Sequence, residues 1–212
     1  MIEYLKNNNV NIFNNTEATS FELNKGKIVS VFTDNNKFKA DYFVLSSGMW
    51  SNKLSRKLNI NLPLQSGKGY SITLQNFKNP PLYPSLLLET RAAVTPMGSD
   101  LRLAGTMEIG SNNEAINIKR VKGYLTTIKN YYPEIDPNIP DEKDIWFGHR
   151  PCSPDGLPYI GKSKNFNNLI IATGHAMMGL SLGPATGKLV QEIIDDEKPS
   201  LVLSPFKVER FN

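Results

Sequence analysis

Short apolar runs separated by turn residues occupy the first part of the chain. Between residues 21 and 38, three such runs alternate with polar positions, and Asn, Asp or Gly stands between them. This pattern predicts a three-stranded antiparallel meander with tight turns. A further short strand is expected at residues 10–13, after a helical segment at residues 1–8.

Two continuous apolar runs have a different character. Residues 42–45 (YFVL) and 169–173 (LIIAT) are typical of parallel strands that are buried on both faces. Each run leads through small residues into a predicted helix, at 50–58 and at 184–194. Pro184 suits a first helical position, because a missing N–H does no harm there. We expect the two strands to share one sheet, and ligands bind at the carboxyl ends of such strands.

The middle of the chain contains shorter and more evenly spaced apolar runs. Residues 64–74, 86–88, 92–95 and 101–104 predict strands of an antiparallel sheet, since turn residues separate them. Residues 113–131 predict a helix. Its apolar positions recur at helical spacing: Ile116, Val121, Leu125 and Ile128.

These elements predict an α/β protein, α+β overall, with two lobes. Residues 1–63 and 145–212 would form a discontinuous Rossmann-like lobe. Residues 64–144 would form an inserted antiparallel lobe that carries a helix. A chain of 212 residues is long enough for two such modest lobes.

Charge and cysteine content limit which binding partners and which cellular compartment we expect. The formal net charge is +4, and the lysines are scattered, so no nucleic acid is expected as a partner. The single cysteine, Cys152, excludes an internal disulfide and favours a reducing, cytoplasmic location. No apolar run approaches the ~20 residues that span a bilayer, and no signal-peptide pattern occurs. Peripheral membrane contact and a homo-oligomer both stay open.

The motif content argues against several enzyme classes. The chain has two histidines, His149 and His175, so a three-histidine metal site cannot form. No phosphate-binding loop of the Gly-x-x-x-x-Gly-Lys-Ser/Thr type occurs, and no Gly-x-Ser-x-Gly elbow occurs. We therefore expect neither a metalloenzyme nor a serine hydrolase. Cys152 is interpreted as a small neutral filler.

Arg150 is the strongest candidate in the sequence for a ligand-binding residue. We expect it on a turn stiffened by Pro151 and Pro154, which would aim its guanidinium. A guanidinium binds a carboxylate through two parallel hydrogen bonds, so Arg150 could hold an anionic ligand. Pairing with a local acid such as Asp155 is equally open.

The glycine-rich loop at residues 174–183 is the second candidate. It precedes a helix, and the unpaired N–H groups of a helix start favour negative charge. A plain packing turn is the alternative. His175 could donate a proton or contact a ring, or be structural. Glu108, at the end of a predicted strand, could face a cleft or solvent.

Three segments together resemble FAD-dependent amino-acid oxidoreductases. Residues 45–51 (LSSGMWS) resemble the family's AAGAWS segment. Residues 146–161 (WFGHRPCSPDGLPYIG) resemble its W-x-G-x-RP-x-(S/T)-PDGLP-x-IG segment. Residues 174–187 (GHAMMGLSLGPATG) resemble its GH-x-x-x-G-x-x-x-(A/G)PATG segment. D-amino-acid dehydrogenases, glycine oxidase and related imino-acid dehydrogenases carry this set in the same order.

The resemblance implies hydride transfer from the Cα of a D-amino acid or cyclic imino acid to N5 of FAD. Arg150 matches the arginine that holds the substrate carboxylate, and Glu108 is the second catalytic candidate. The inserted lobe matches the substrate domain. Implied FAD contacts on the adenine and phosphate side are Ala18, Ser46, Ser47, Gly48 and Trp50. Implied contacts beside the isoalloxazine ring are His175, Met177, Met178, Gly179, Leu180 and Ser181.

The sequence also departs from that family. Ala93 and Met177 stand where glycine oxidase has a tyrosine and an arginine, which favours a larger or cyclic substrate. The family's opening Gly-x-Gly-x-x-Gly motif has no match here, so we expect a C-terminal portion that holds FAD weakly by itself. The alternatives are a non-catalytic binding subunit or an inactive fragment, either of which needs a partner with the nucleotide-binding half.

Overall fold

The computed structural model describes residues 1–110, 113–135, 137–138 and 141–211. The chain divides into two compact units. The first contains residues 1–63, 159–173 and 183–212, and the second contains residues 64–158 and 174–182. Within the described residues, no helix is both long and apolar enough to cross a membrane.

The first unit opens with a helix and the expected meander. Its elements are α1 (Ile2–Asn7), β1 (Ser20–Asn24), β2 (Lys27–Phe32) and β3 (Lys37–Phe38), and the three strands pair in that order as an antiparallel sheet. Lys25 and Gly26 have φ values of 42° and 76°, as a two-residue hairpin turn requires. The strand expected at residues 10–13 is wrong. That segment is irregular, and Phe13 instead packs edge-on against Phe38, with ring centroids 4.8 Å apart.

A second sheet of the first unit joins the two ends of the chain. Its strands are β4 (Phe43–Leu45), β10 (Tyr159–Lys162) and β11 (Leu169–Thr173), in the order β10-β11-β4. β11 runs parallel to β4, which confirms the expected shared sheet. β10 was not predicted, because its four residues follow a proline- and glycine-rich segment that suggests only a turn.

Helices follow both parallel strands, as expected. A 3₁₀ turn (Gly48–Trp50) leads into α2 (Ser51–Arg56), and another (Ala176–Met178) leads into α4 (Gly179–Ile194). α4 begins five residues before the predicted start, so Pro184 lies inside the helix. At the sixth position it removes one backbone hydrogen bond, which the rest of the helix tolerates. Leu189 and Ile193 of α4 pack on Ile160 and Ile170.

The second unit is an antiparallel sheet with a helix, as predicted, and its described residues form five strands where four were expected. Its elements are β5 (Gln65–Leu74), β6 (Ser85–Leu87), β7 (Ala92–Met97), β8 (Asp100–Ile109), α3 (Ile118–Tyr131) and β9 (Trp146–Cys152). The strand order is β6-β7-β8-β5-β9. α3 starts later than expected because Asn117 caps it, accepting a hydrogen bond from the Arg120 N–H.

β9 changes two expectations. Arg150 lies within this strand rather than on a turn, and β9 pairs with β5 from Gln65↔Cys152 to Ser71↔Trp146. The strand therefore belongs to the sheet of the second unit, whereas the sequence division assigned residues 145 onward to the other lobe. Pro151 is the reason that the sequence predicts a turn here instead of a strand. β9 is an edge strand, and a proline without an N–H is tolerated at an edge.

The two faces of this sheet have different roles. Tyr70 and Ile72 of β5 point to α3, where they join the main apolar core. Other core members from the sheet and helix are Val94, Leu101, Leu103, Val121, Leu125 and Ile128. Because side chains alternate along a strand, Gly67 and Gly69 of β5 face the opposite side. That side is free to bind a ligand.

The core assignment predicts a contrast between two leucines. Leu103→Ala should reduce the free energy of unfolding by about 2–5 kcal/mol, because it leaves a cavity between the sheet and α3. Leu82→Ala is the matched control: Leu82 is 81% exposed, so a change within about 0.5 kcal/mol is expected. Urea unfolding followed by circular dichroism measures both. Equal losses would contradict the core assignment.

Candidate functional site

A pocket of about 340 Å³ lies within the second unit. Apolar side chains form most of its lining: Leu86, Leu88, Ala93, Ala104, Met107 and Met177. Arg91 and Arg150 are its charged lining residues, and no carboxylate lines it among the described residues. The volume is at the small end of the range for ligand sites, which suits an amino-acid-sized molecule. The pocket combines apolar walls with positive charge.

Arg150 lies flat on the sheet because β5 has no side chain beneath it. A Cβ at Gly69 would be only 2.0 Å from Nη1 of Arg150, so only glycine leaves the guanidinium its place. Nη1 also donates a hydrogen bond of 3.3 Å to the Gly67 carbonyl. Two glycines of β5 therefore fix the position of Arg150.

Pairing of Arg150 with Asp155 is not observed. Asp155 accepts hydrogen bonds from the Ser153 hydroxyl (3.2 Å) and the Leu157 N–H (3.0 Å), and so stabilises its own turn. Among the described residues Arg150 has no acidic partner. Burial lowers the pKa of Arg150 from its ordinary value, and the group still stays protonated near neutral pH. A partly buried cation without a counter-ion favours binding of an anion.

A second buried cation in the same sheet makes a useful contrast. Lys68 of β5 is 1% exposed, and its Nζ donates to both Asn113 oxygens and to the Ala115 carbonyl, the last at 2.7 Å. Lys68 is thus satisfied by the protein itself and has a structural role. Among the residues that the structure describes, Arg150 makes one side-chain hydrogen bond, to the Gly67 carbonyl, and its remaining donors can bind a ligand.

Cys152 lies beside Arg150 on the same face. Its Sγ would be 2.8 Å from a Cβ at Gly67, so the thiol fills the space that the glycine leaves. Burial raises the pKa of Cys152, although Arg150 acts in the opposite direction. A thiol with a raised pKa is neutral at pH 7, which agrees with the interpretation of Cys152 as a filler.

A bulge in β8 shapes the pocket floor, and sequence reasoning missed it. Thr106 has φ 62°, a rare conformation for a β-branched residue. Its N–H donates to the Arg91 carbonyl (3.2 Å), and its hydroxyl accepts from Nη1 of Arg120 (3.4 Å). Strained residues of this kind cluster at functional sites. Neither Thr106 nor Arg91 stands in a motif that would have pointed to it.

Glu108 is not among the residues that line the pocket. Its carboxylate accepts a hydrogen bond of 2.8 Å from the Tyr70 hydroxyl and lies 3.6 Å from Nε of Arg120. Tyr70 belongs to the core under α3, so Glu108 points away from Arg150. Burial, and next the bond to Glu108, raise the pKa of Tyr70. This arrangement fits a structural role for Glu108 rather than the expected catalytic one.

The segment at residues 174–182 borders the pocket. A single β-bridge joins His175 to Cys152, and Met177 reaches the pocket lining. Burial lowers the pKa of His175, so its ring is neutral at pH 7. Met178, Gly179, Leu180 and Ser181 follow, all exposed, and α4 starts at Gly179 with no acid in its first turn. The structure thus brings together the residues expected beside a flavin ring.

The other expected cofactor residues lie in the first unit. The Thr173 hydroxyl at the end of β11 donates to the Gly48 carbonyl and accepts from the Ser51 hydroxyl, each at 3.1 Å. These bonds fix the turn that contains Ser46, Ser47 and Gly48, while Trp50 is exposed. Glu17 pairs with Lys53 of α2 at 2.9 Å, which holds the segment with Ala18 near this turn. The chain therefore groups all five residues in one unit.

Comparison with known proteins identifies the family. The model of the family described as FAD dependent oxidoreductase matches residues 1–193, and the chain belongs to that family. A D-amino-acid oxidase of Bradyrhizobium diazoefficiens is 32% identical over 196 residues, and a D-amino acid dehydrogenase of Helicobacter pylori is 32% identical over 198 residues. Each alignment covers 92% of this chain and 47% of the relative.

A solved structure has the same fold. Glycine oxidase from Geobacillus kaustophilus superposes with a TM-score of 0.76 and 24% identity, over 96% of this chain and 54% of that one. The chain thus spans about half the length of the relatives it matches.

The residues present fit parts of FAD. At Gly48, which has φ 55°, an added Cβ would meet nothing within 4 Å, so the backbone after β4 is open to a close-lying group. The start of α4 has the partial positive charge of a helix N-terminus, and Met177, Met178 and Leu180 present apolar surface. A planar ring that can become negatively charged suits the residues at the start of α4.

The position of Arg150 yields a prediction about Gly69. Gly69→Ala should lower the affinity for a small carboxylate such as propionate by about 10-fold, because the new methyl group displaces the guanidinium and its hydrogen bonds. Chemical-shift titration of ¹⁵N-labelled protein measures the affinity. Gly123→Ala in α3 is the control, since it meets nothing within 4 Å and should leave binding unchanged. Unchanged binding in Gly69→Ala would show that Arg150 is not the anion site.

Proposed function

We propose that this chain is the substrate-binding and flavin-capping part of an FAD-dependent oxidoreductase that acts on D-amino acids or cyclic imino acids. The observation that carries the proposal is Arg150, a partly buried cation without an acidic partner among the described residues, in an otherwise largely apolar pocket. The names of the relatives, D-amino-acid oxidase and D-amino acid dehydrogenase, support the substrate class.

Arg150 binds the substrate carboxylate in this proposal. A bidentate pair between guanidinium and carboxylate fixes both the position and the orientation of the Cα next to it. The apolar lining then accepts the side chain. Ala93 leaves room there, which favours a substrate larger than glycine. Binding at Arg150 thus selects α-carboxylates, and the apolar lining selects among their side chains.

Bound FAD would supply the oxidant, accepting a hydride from Cα at N5. The residues from His175 to Ser181 then border the ring, and the start of α4 stabilises the negative charge that reduction brings. His175 is neutral, so it contributes a hydrogen bond or a ring contact rather than a charge. The resulting imino acid reacts with water to give a keto acid and ammonia.

Ala18, Ser46, Ser47, Gly48 and Trp50 contact the adenine and phosphate side of FAD in this proposal. Support comes from the location of Ser46, Ser47, Gly48 and Trp50 just after the carboxyl end of β4, next to the parallel strand β11. Ligands of open α/β sheets bind at that end of the strands. Ala18 follows Glu17, which pairs with Lys53 of α2.

The proposal predicts a specific effect of Arg150→Ala. Affinity for D-alanine should fall by roughly 10- to 150-fold, as the loss of charged hydrogen bonds of about 1.5–3 kcal/mol implies. Affinity for FAD should stay unchanged, because Arg150 belongs to the substrate side. Titration with D-alanine and with FAD, followed by chemical shift and by flavin absorbance, measures the two affinities. Arg102→Ala, an exposed arginine of β8 outside the pocket, is the control.

The same titrations separate the rival functions. Equal loss of both affinities in Arg150→Ala would assign that residue a structural role. Binding of D-alanine without any bound flavin would favour a binding subunit that needs a partner for the nucleotide. Binding of neither ligand would favour an inactive fragment.

A further inference from the structure

We infer that Arg91 is a second carboxylate site in the same pocket, and that the substrate is a D-amino acid with an acidic side chain. This inference rests on the proposed function, because it takes Arg150 as the site of the α-carboxylate. The inference adds the chemical class of the substrate's side chain, which the apolar lining of the pocket alone does not define. The substrate would then carry two carboxylates joined by a short aliphatic chain.

The charges in the pocket support a dianionic ligand. Arg91 and Arg150 both line it, and neither has an acidic partner among the described residues. Glu89 stands in the same turn as Arg91 but is not part of the lining. Arg150 is partly buried and Arg91 is exposed, so the pocket has a net positive charge with no described carboxylate in its lining. Each guanidinium can bind one carboxylate through a planar fork of donors.

The register of the sheet places Arg91 in the row of Gly69, over which the guanidinium of Arg150 reaches. The Thr106 N–H bonds to the Arg91 carbonyl, and Thr106 and Met107 lie opposite Gly69 at the bulge. The guanidinium of Arg150 lies over Gly69. Since neighbouring strands are about 4.8 Å apart, the Arg91 backbone is about 10 Å from that guanidinium across β8. The side chain of Arg91 starts from this backbone position.

Part of the pocket lining near Arg91 is apolar. Ala93 and Ala104 pair across β7 and β8, and both line the pocket. Their small side chains leave room for methylene groups, which gain free energy by leaving water. The pocket therefore combines two arginines with an apolar surface, which fits an amino dicarboxylate with a short aliphatic chain.

The backbone at Arg91 is held in an unusual conformation. Arg91 has φ 51° and Thr106 has φ 62°, and a 3.2 Å hydrogen bond joins them. Arg120 also donates to the Thr106 hydroxyl, so the bulge is supported from the α3 side. Left-handed conformations at these two residues, which are neighbours across the strands, cost free energy. Such strained conformations persist where a defined geometry is needed. That geometry fixes where the side chain of Arg91 starts.

The test compares two ligands of nearly equal shape on the whole chain. ¹⁵N-labelled protein is titrated with D-glutamate and with D-glutamine, which differ in one carboxylate. D-glutamate should bind about 2- to 5-fold more tightly, since Arg91 is exposed and an exposed ion pair adds about 0.5–1 kcal/mol. Arg91→Gln should abolish this difference and leave the affinity for D-glutamine unchanged. Arg102→Gln removes the same charge outside the pocket and should retain the difference.

The outcomes separate this inference from the proposed function. Equal affinity for both ligands, or an unchanged preference in Arg91→Gln, would overturn the role of Arg91 alone. Arg150→Gln should weaken both ligands. If it weakens neither, the proposed function fails, and the inference fails with it. Absence of saturable binding for either ligand would overturn both. A preference for D-glutamate that shrinks at high salt supports the ion pair, because salt screens exposed charges.

Discussion

The site depends on the close approach of the Arg150 guanidinium to bare backbone at Gly69. A cation can lie flat on a sheet only where the neighbouring strand lacks a side chain, and β5 offers Gly67 and Gly69 on that face. The opposite face of the same strand carries Tyr70 and Ile72 into the core. Tyr70 and Ile72 of β5 thus anchor the strand in the core of the second unit, whereas Gly67 and Gly69 leave room for the ligand-binding arginine.

The sequence was sufficient for the elements whose pattern is local. The meander at β1–β3, the parallel pairing of β4 with β11, and the antiparallel sheet under α3 all follow from apolar periodicity and turn residues. Two predictions failed at prolines, whose effect depends on the structure around them. Pro151 indicated a turn until β5 supplied a strand partner, and Pro184 indicated a helix start although the helix begins earlier.

The site shows the same limit. Arg150 is predictable because it directly precedes Pro151 in a family-like segment, and the structure adds that no acidic residue among those described pairs with it. Arg91 and Thr106 carry no motif, since their importance comes from a bulge in β8 that only the pairing with β5 creates. The position of Glu108 has a related cause. The bulge shifts the alternation of β8, so a residue that could have faced the pocket points toward Tyr70 instead.

The proline in β9 also bears on association between chains. An outer strand of a sheet offers unpaired N–H and C=O groups, which another chain can use to extend the sheet. Pro151 has no N–H to offer, and the bridge between Cys152 and His175 covers the adjoining residue. The strand that carries the ligand-binding arginine is thereby a poor template for edge-to-edge aggregation, even though it lies at the border of its sheet.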